Sequence, residues 1–217
     1  MLALLALCVL VGVAVAQRPL LLVYALSLTG TPGLLPPENE GPEGQWHDDY
    51  FTVQALGPDT FAIGEPRYYQ QNYSYLIAGN ARAVLFDAGP GHRDIRPVAL
   101  SLTDLPITFI PSHFHYDHVG NLEKFPSAYF HLQDDEMCYA TGRAMRHQTA
   151  RAAYTVQHIT DMIHAVYNER VVFHDGDVVL FPGVSLHLIG GHTRGMQAVR
   201  VNTKRVWVVL ASDAAHF

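Results

Sequence analysis

Three histidines and an aspartate fall within six consecutive positions, His113, His115, Asp117 and His118, in the stretch IPSHFHYDHVGN over 110–121. That density is costly to bury, at about 1–3 kcal/mol for each polar ring left without a partner. A solvated loop has no use for it. Imidazole and carboxylate suit a metal ion instead: they bind zinc at about 2.0–2.2 Å, and the cation neutralises groups that an interior would otherwise reject. His113 and His115, two apart, project to one face at the end of a strand. Asp117 and His118 follow after a turn, and Gly120 permits close backbone approach there. A second junction, GGHTRG over 190–195, presents His192 after two glycines. A third, VVLASDAAHF, carries Asp213. Strand ends can converge on one edge of a sheet, so the three junctions together predict one site.

Strands are needed to deliver those junctions. DTFAIG, NYSYLIAG and AVLFDAGPG are short β-type runs separated by turn residues, and ITFIPSHFH leads straight into the histidine cluster. RVVFHDGD, VSLHLIGGH and RVWVVLASD repeat the pattern towards the C-terminus. Val156, Ile159, Met162, Ile163, Val166 and Tyr167 keep helical spacing, which predicts one amphipathic helix over about 150–168. LLLVYALSL over 20–28 reads as a further strand, and the Pro/Gly/Glu-rich stretch 29–45 as an irregular surface segment. Mixed strands and helices in a chain of 217 residues indicate one α/β or α+β layered domain.

The formal net charge of −6 excludes the basic footprint that nucleic acid requires. The opening MLALLALCVLVGVAVAQ is apolar and ends in Ala14-Val15-Ala16, a small-x-small pattern suited to signal peptidase. Residues 1–16 are therefore expected to be a signal peptide, and the protein to be secreted or periplasmic without stable membrane contact. An uncleaved membrane anchor is the alternative. Cleavage leaves Cys138 as the single cysteine, so no internal disulfide is expected.

H-x-H-x-D-H, then a histidine flanked by glycines, then an aspartate closing a strand, resembles the metallo-β-lactamase superfamily of hydrolases. The resemblance spans about residues 50–217, with 17–49 as an N-terminal strand and irregular segment ahead of it. LFDAGPG adds Asp87 where the family places a buried aspartate beneath the metals. FHLQDDEMCYATGR, VVFHDGD, GGHTRGMQAVRV and VVLASDAAHF are most similar to the N-acyl-homoserine lactone lactonases. The resemblance implies an αββα sandwich and two zinc ions. His113, His115 and His192 would hold the first, Asp117 and His118 the second, and Asp213 would bridge them. It further implies hydrolysis of a small-molecule lactone or ester by a metal-bridging hydroxide, with Asp117 orienting that hydroxide or shuttling its proton. Asp87 would accept a ring N–H from a ligand histidine. The lactonases carry a tyrosine three residues after the bridging aspartate; His216 stands at that place and is the candidate hydrogen-bond donor or acid. The family also supplies a later metal-binding histidine, whereas this sequence ends at Phe217, so a truncated domain and a weaker second site are expected.

The superfamily leaves other substrates open, a β-lactam or a glutathione thioester among them, as well as an inactive metal-binding relative. His131, His174 and His187, in strand-like runs, and His147, His158 and His164, on or near the helix, read as structural or surface residues. Met137, Met145, Met162, Tyr154 and Tyr167 either line an acyl pocket or pack against the sheet, and core packing is the preferred reading.

Overall fold

The computed structural model describes residues 33–37, 44–203 and 206–214. The signal peptide expected at 1–16, the strand expected at 20–28, most of the irregular segment expected over 29–45, and His216 lie outside the described residues. The chain divides into two compact units, Met1–Leu34 and Leu35–Phe217, and every element described below belongs to the second.

Eight strands form the first sheet in sequence order: β1 (Gln45–Trp46), β2 (Thr52–Gly57), β3 (Thr60–Gly64), β4 (Tyr73–Ala78), β5 (Ala83–Phe86), β6 (Ile107–Ile110), β7 (Phe130–Gln133) and β8 (Val171–His174). Pairing is antiparallel through β5 and parallel from β5 to β8. The switch falls where the sequence changes character. β4 still carries exposed Tyr73, whereas all of β5, Ala-Val-Leu-Phe, is buried, as a parallel-sheet strand covered on both faces requires. Parallel neighbours need crossovers. Helix α1 (Arg96–Leu102), with Pro97 in its first turn, links β5 to β6 and buries Val98 and Ala99.

The second sheet is antiparallel, in the order β12 (Trp207–Leu210), β11 (Gln197–Asn202), β10 (Val184–Leu188), β9 (Val178–Phe181). Val84 and Phe86 of β5, Ile77 of β4 and Ile110 of β6 meet Leu186, Val199, Val201 and Leu210 in one buried cluster between the sheets. The opposite face of the first sheet is also covered: Leu85 is buried, and Phe109 packs on the rings of Phe125 and Phe130. Helix α3 (Asp134–Thr141) contacts β7, and α5 (Val156–Tyr167) contacts β8. The architecture is the expected mixed sandwich, two sheets face to face with helices outside.

The single helix expected over 150–168 is instead two. A short α4 (Gln148–Arg151) precedes α5, and 152–155 interrupts them. Tertiary contacts explain the break. Ala153 O accepts from Tyr116 N at 2.8 Å, and the Tyr154 ring stands edge-on to His115, 4.9 Å between centroids. Within α5, Ile159, Met162 and Ala165 are buried whereas Val156 and Tyr167 face solvent, so Met162 belongs to the core and Tyr167 lines nothing. No helix among the described residues is long and apolar enough to cross a membrane.

Candidate metal centre

β6 ends at Ile110, not within the histidine cluster, because Pro111 cannot donate to the ladder. The loop that follows is fixed from both sheets. Gln197 of β11 donates its side-chain N–H to Pro111 O at 2.8 Å and its backbone N–H to Ser112 O at 2.9 Å. His113 and His115 lie on this loop, and Asp117 and His118 on the one-turn helix α2 (Tyr116–Val119). His192 enters from the β10–β11 connection, and Asp213 from the turn Ser212–Ala214 after β12. The three junctions predicted from the sequence do meet.

His113, His115, His192 and Asp213 each offer a donor atom, all within 4.8 Å of one another. His192 Nε2 lies 3.0 Å from His115 Nδ1 and 3.2 Å from Asp213 Oδ2, and His113 Nε2 lies 3.9 Å from the same oxygen. Donors around a tetrahedral ion with zinc-length bonds stand about 3.3–3.6 Å apart, so the spacing fits a metal. His113 Nε2 is buried and has no hydrogen-bond partner, which an interior tolerates only when something else occupies its lone pair. A second set adjoins the first: His118 Nε2 lies 3.8 Å from Asp117 Oδ2 and 3.6 Å from Asp213 Oδ2, leaving Asp213 between the two groups.

Asp87 occupies the place expected of it. Its Oδ2 accepts from His118 Nδ1 at 2.9 Å and from Ser212 Oγ at 3.1 Å, and its Oδ1 accepts from Ser112 N at 2.6 Å. A carboxylate at Nδ1 fixes the His118 tautomer and turns the Nε2 lone pair towards the cluster. Asp87 and Ser212 both adopt left-handed backbone, φ 58° and 49°, the kind of strain that clusters at functional sites. Asp87→Asn should keep the shape while turning an acceptor into a donor, and should weaken metal affinity about 10–100-fold. Competition against a chelating dye measures this, and unchanged affinity would remove Asp87 from the site.

Neutral imidazoles bind metal, and burial provides two of them, at His113 and His115. Burial, reinforced by His118 and His115, drives His113 far below the usual imidazole range. Burial and the nearby His192 lower His115 to about 3. At Asp213 burial opposes ionisation, but interactions with His118 and His192 outweigh it and hold the carboxyl well below normal. At His118 burial opposes the charged form, yet Asp87, Asp213 and Asp117 raise it well above normal. The carboxylates of Asp87, Asp117 and Asp213 around His118 would equally compensate a cation that replaced that proton.

Several further groups surround the cluster. Gln70 Nε2 donates to Asp117 Oδ2 at 2.7 Å, Tyr116 OH donates to Gln70 Oε1 at 2.7 Å, and Tyr69 and Tyr116 share a short hydroxyl contact. Asn72 Nδ2 holds Asp117 O at 2.8 Å. Ser112 and Ser212 adjoin the recognised clusters, which was the one available signal for them. Among the recognised histidines, His131 and His174 pair with each other, 2.9 Å between ring nitrogens on β7 and β8, and His187 pairs with Asp177 at 2.8 Å. All three stay outside the cluster, as expected of structural residues.

Glu65 is another buried acid near the site. Tyr50 OH donates to its Oε2 at 2.7 Å, while Oε1 has no partner. Burial pushes its carboxyl up to about 8, with the Asp117 charge adding and the Tyr50 bond subtracting. Below pH 4.5, its ordinary value, both folded and unfolded chains hold the proton. Between there and about 8 only the folded chain keeps it, so stability falls as pH rises, at up to about 1.4 kcal/mol per pH unit. Glu65→Gln should lose that slope. Urea denaturation of the metal-free proteins at pH 5 and pH 8 should show the variant gaining on the parent at the higher pH; an equal difference at both would contradict the assignment.

One mixed and one antiparallel sheet face to face, with histidine and aspartate loops gathered on one edge, define a metal-binding sandwich of the α/β class. The chain belongs to the metallo-beta-lactamase superfamily, whose family model matches residues 67–216. No curated protein matches the sequence. Among solved structures, a quorum-quenching N-acyl homoserine lactone hydrolase is similar at 21% identity and TM-score 0.52, covering 71% of this chain; this chain spans 64% of that one. AidC, a dizinc quorum-quenching lactonase in complex with a product, is similar at 16% identity and TM-score 0.57, with 75% and 74% covered. AbOPH, a hydrolase in the beta lactamase superfamily, is similar at 15% identity and TM-score 0.57, with 82% and 76% covered. At these identities the likeness is one of fold.

Proposed function

We propose that the protein is a metal-dependent hydrolase that opens a lactone or ester, with N-acyl-homoserine lactones as the leading substrate class. The observation that carries the reading is the convergence of His113, His115 and His192 with Asp213, and of Asp117 and His118 beside them. Nitrogen and oxygen donors at this spacing favour zinc. Two such ions, when bound, supply Lewis acidity towards a carbonyl oxygen and water acidified to near-neutral pH.

The chain's own residues do the rest. Asp87 keeps His118 in the tautomer that presents Nε2. Asp117 has one oxygen held by Gln70 and is 9% exposed, so its carboxylate is aimed rather than free, at the edge of the cluster where it can accept and pass on a proton. The Tyr154 ring walls the cluster beside His115 and limits how a substrate approaches. The lactone reading draws on the resemblance of the C-terminal half to the lactonases and on the lactone hydrolases among the structural neighbours. Export, read from the apolar stretch over 1–16, belongs to the same proposal.

A pH-stat assay of the purified, metal-loaded protein against lactones, β-lactams and thioesters tests it. Proton release with acyl-homoserine lactones is the expected result. Turnover of only a β-lactam or thioester would move the substrate class, and no turnover with metal bound would leave a metal-binding relative.

A further inference from the structure

We propose that Glu136 is a positioning residue that locks the His113–His115 loop and the His192 loop into one metal-binding geometry, without itself ligating. The inference rests on the metal reading above. Glu136 stands in the first turn of α3 and is fully buried. A lone carboxylate in such a place is strongly disfavoured unless hydrogen bonds compensate it. Here neutral donors surround it. Oε1 accepts from Phe114 N at 2.9 Å and lies 3.5 Å from Tyr154 OH. Oε2 accepts from Thr193 Oγ1 at 2.6 Å and from Gly195 N at 3.0 Å.

The identity of those donors carries the argument. Phe114 lies between His113 and His115, and Thr193 follows His192. One oxygen therefore grips the loop that leaves the first sheet after β6, and the other grips the loop joining β10 to β11 of the second. His115 and His192 are 77 positions apart in sequence, yet their ring nitrogens stand 3.0 Å apart. The His192 loop is pressed hard onto α3: a Cβ at Gly195 would lie 2.1 Å from Glu136 N and 2.5 Å from its Cα. Tyr154, which walls the cluster, reaches the same carboxylate. A helix-capping role would need none of these distant donors. Residues that orient metal ligands typically control affinity about 10–100-fold.

Cobalt(II) titration of the metal-free protein, followed by its visible absorption, reads coordination geometry without any substrate. Thr193→Val keeps the volume of this buried side chain and removes one donor, so it should weaken cobalt affinity about 10–100-fold and shift the absorption bands. Thr193→Ser keeps the hydroxyl and should restore both. Glu136→Gln, which turns one oxygen into a donor facing donors, should lose at least as much; should it fail to fold, the Thr193 pair decides. Wild-type affinity and spectrum in Thr193→Val would overturn the proposal, as would an equal loss in Thr193→Ser. Absence of cobalt uptake by the unsubstituted protein would overturn the metal reading and this proposal with it.

Discussion

His115→Ala should strip most of the bound metal and reduce hydrolysis to background. The His115 ring sits edge-on to His113, 4.4 Å between centroids, and its Nδ1 stands 3.0 Å from His192 Nε2. Truncation leaves three donors of the first group around a gap. Ligand number and geometry set affinity, so the remaining residues hold the ion weakly and off-centre. Displacing reacting groups by about 1 Å already costs about 10²-fold, so the loss in activity should exceed that. Elemental mass spectrometry gives the metal content, and the pH-stat gives the rate. His174→Ala is the matched control: its ring pairs with His131 between β7 and β8, and metal content should not change. Activity surviving within a few-fold in His115→Ala would place the chemistry elsewhere.

Gly120→Ala should destabilise the metal-free protein by about 4–5 kcal/mol or more, the range reserved for severe backbone conflict. A Cβ there would lie 2.0 Å from Pro90 C, 2.2 Å from Pro90 O and 2.3 Å from Gly91 N. These are backbone atoms, so no side-chain rotation relieves the overlap. The two segments are stitched together on either side, by Gly120 N to Gly89 O and by Ala88 N to His118 O, each at 2.8 Å. Pushing them apart pulls Asp87 from His118, and metal affinity should fall with stability. Denaturant unfolding and dye competition measure the two losses. A loss under about 1 kcal/mol would mean that the 88–91 turn yields freely, contrary to its hydrogen bonding.

The clustering of His113, His115, Asp117, His118, His192 and Asp213 is legible in the sequence, because metal chemistry calls for those residue types and strand-to-loop junctions leave local marks. Strands such as Thr60–Gly64, Tyr73–Ala78 and Ala83–Phe86 were legible for a similar reason: apolar runs and alternations bounded by turn residues are written within a few positions. Asp87 is legible in its motif, not in its surroundings. Everything else depends on how the sheets pack. The helix expected over about 150–168 keeps its spacing from Val156 onward, but the chain breaks at 152–155, where Tyr116 takes Ala153 O and the Tyr154 ring packs on His115, contacts whose free energy outweighs local propensity. Glu136 reads as the third of three acids opening a helix, which is what a helix N-terminus favours anyway, so nothing set it apart from Asp134 and Asp135. Gln70 and Glu65 lie in or beside a turn and carry no pattern at all. Their partners sit 47 and 15 positions away, and Ser212 meets Asp87 across 125. A hydrogen bond between such residues obeys no period along the chain, so only the packed sheets bring it into being.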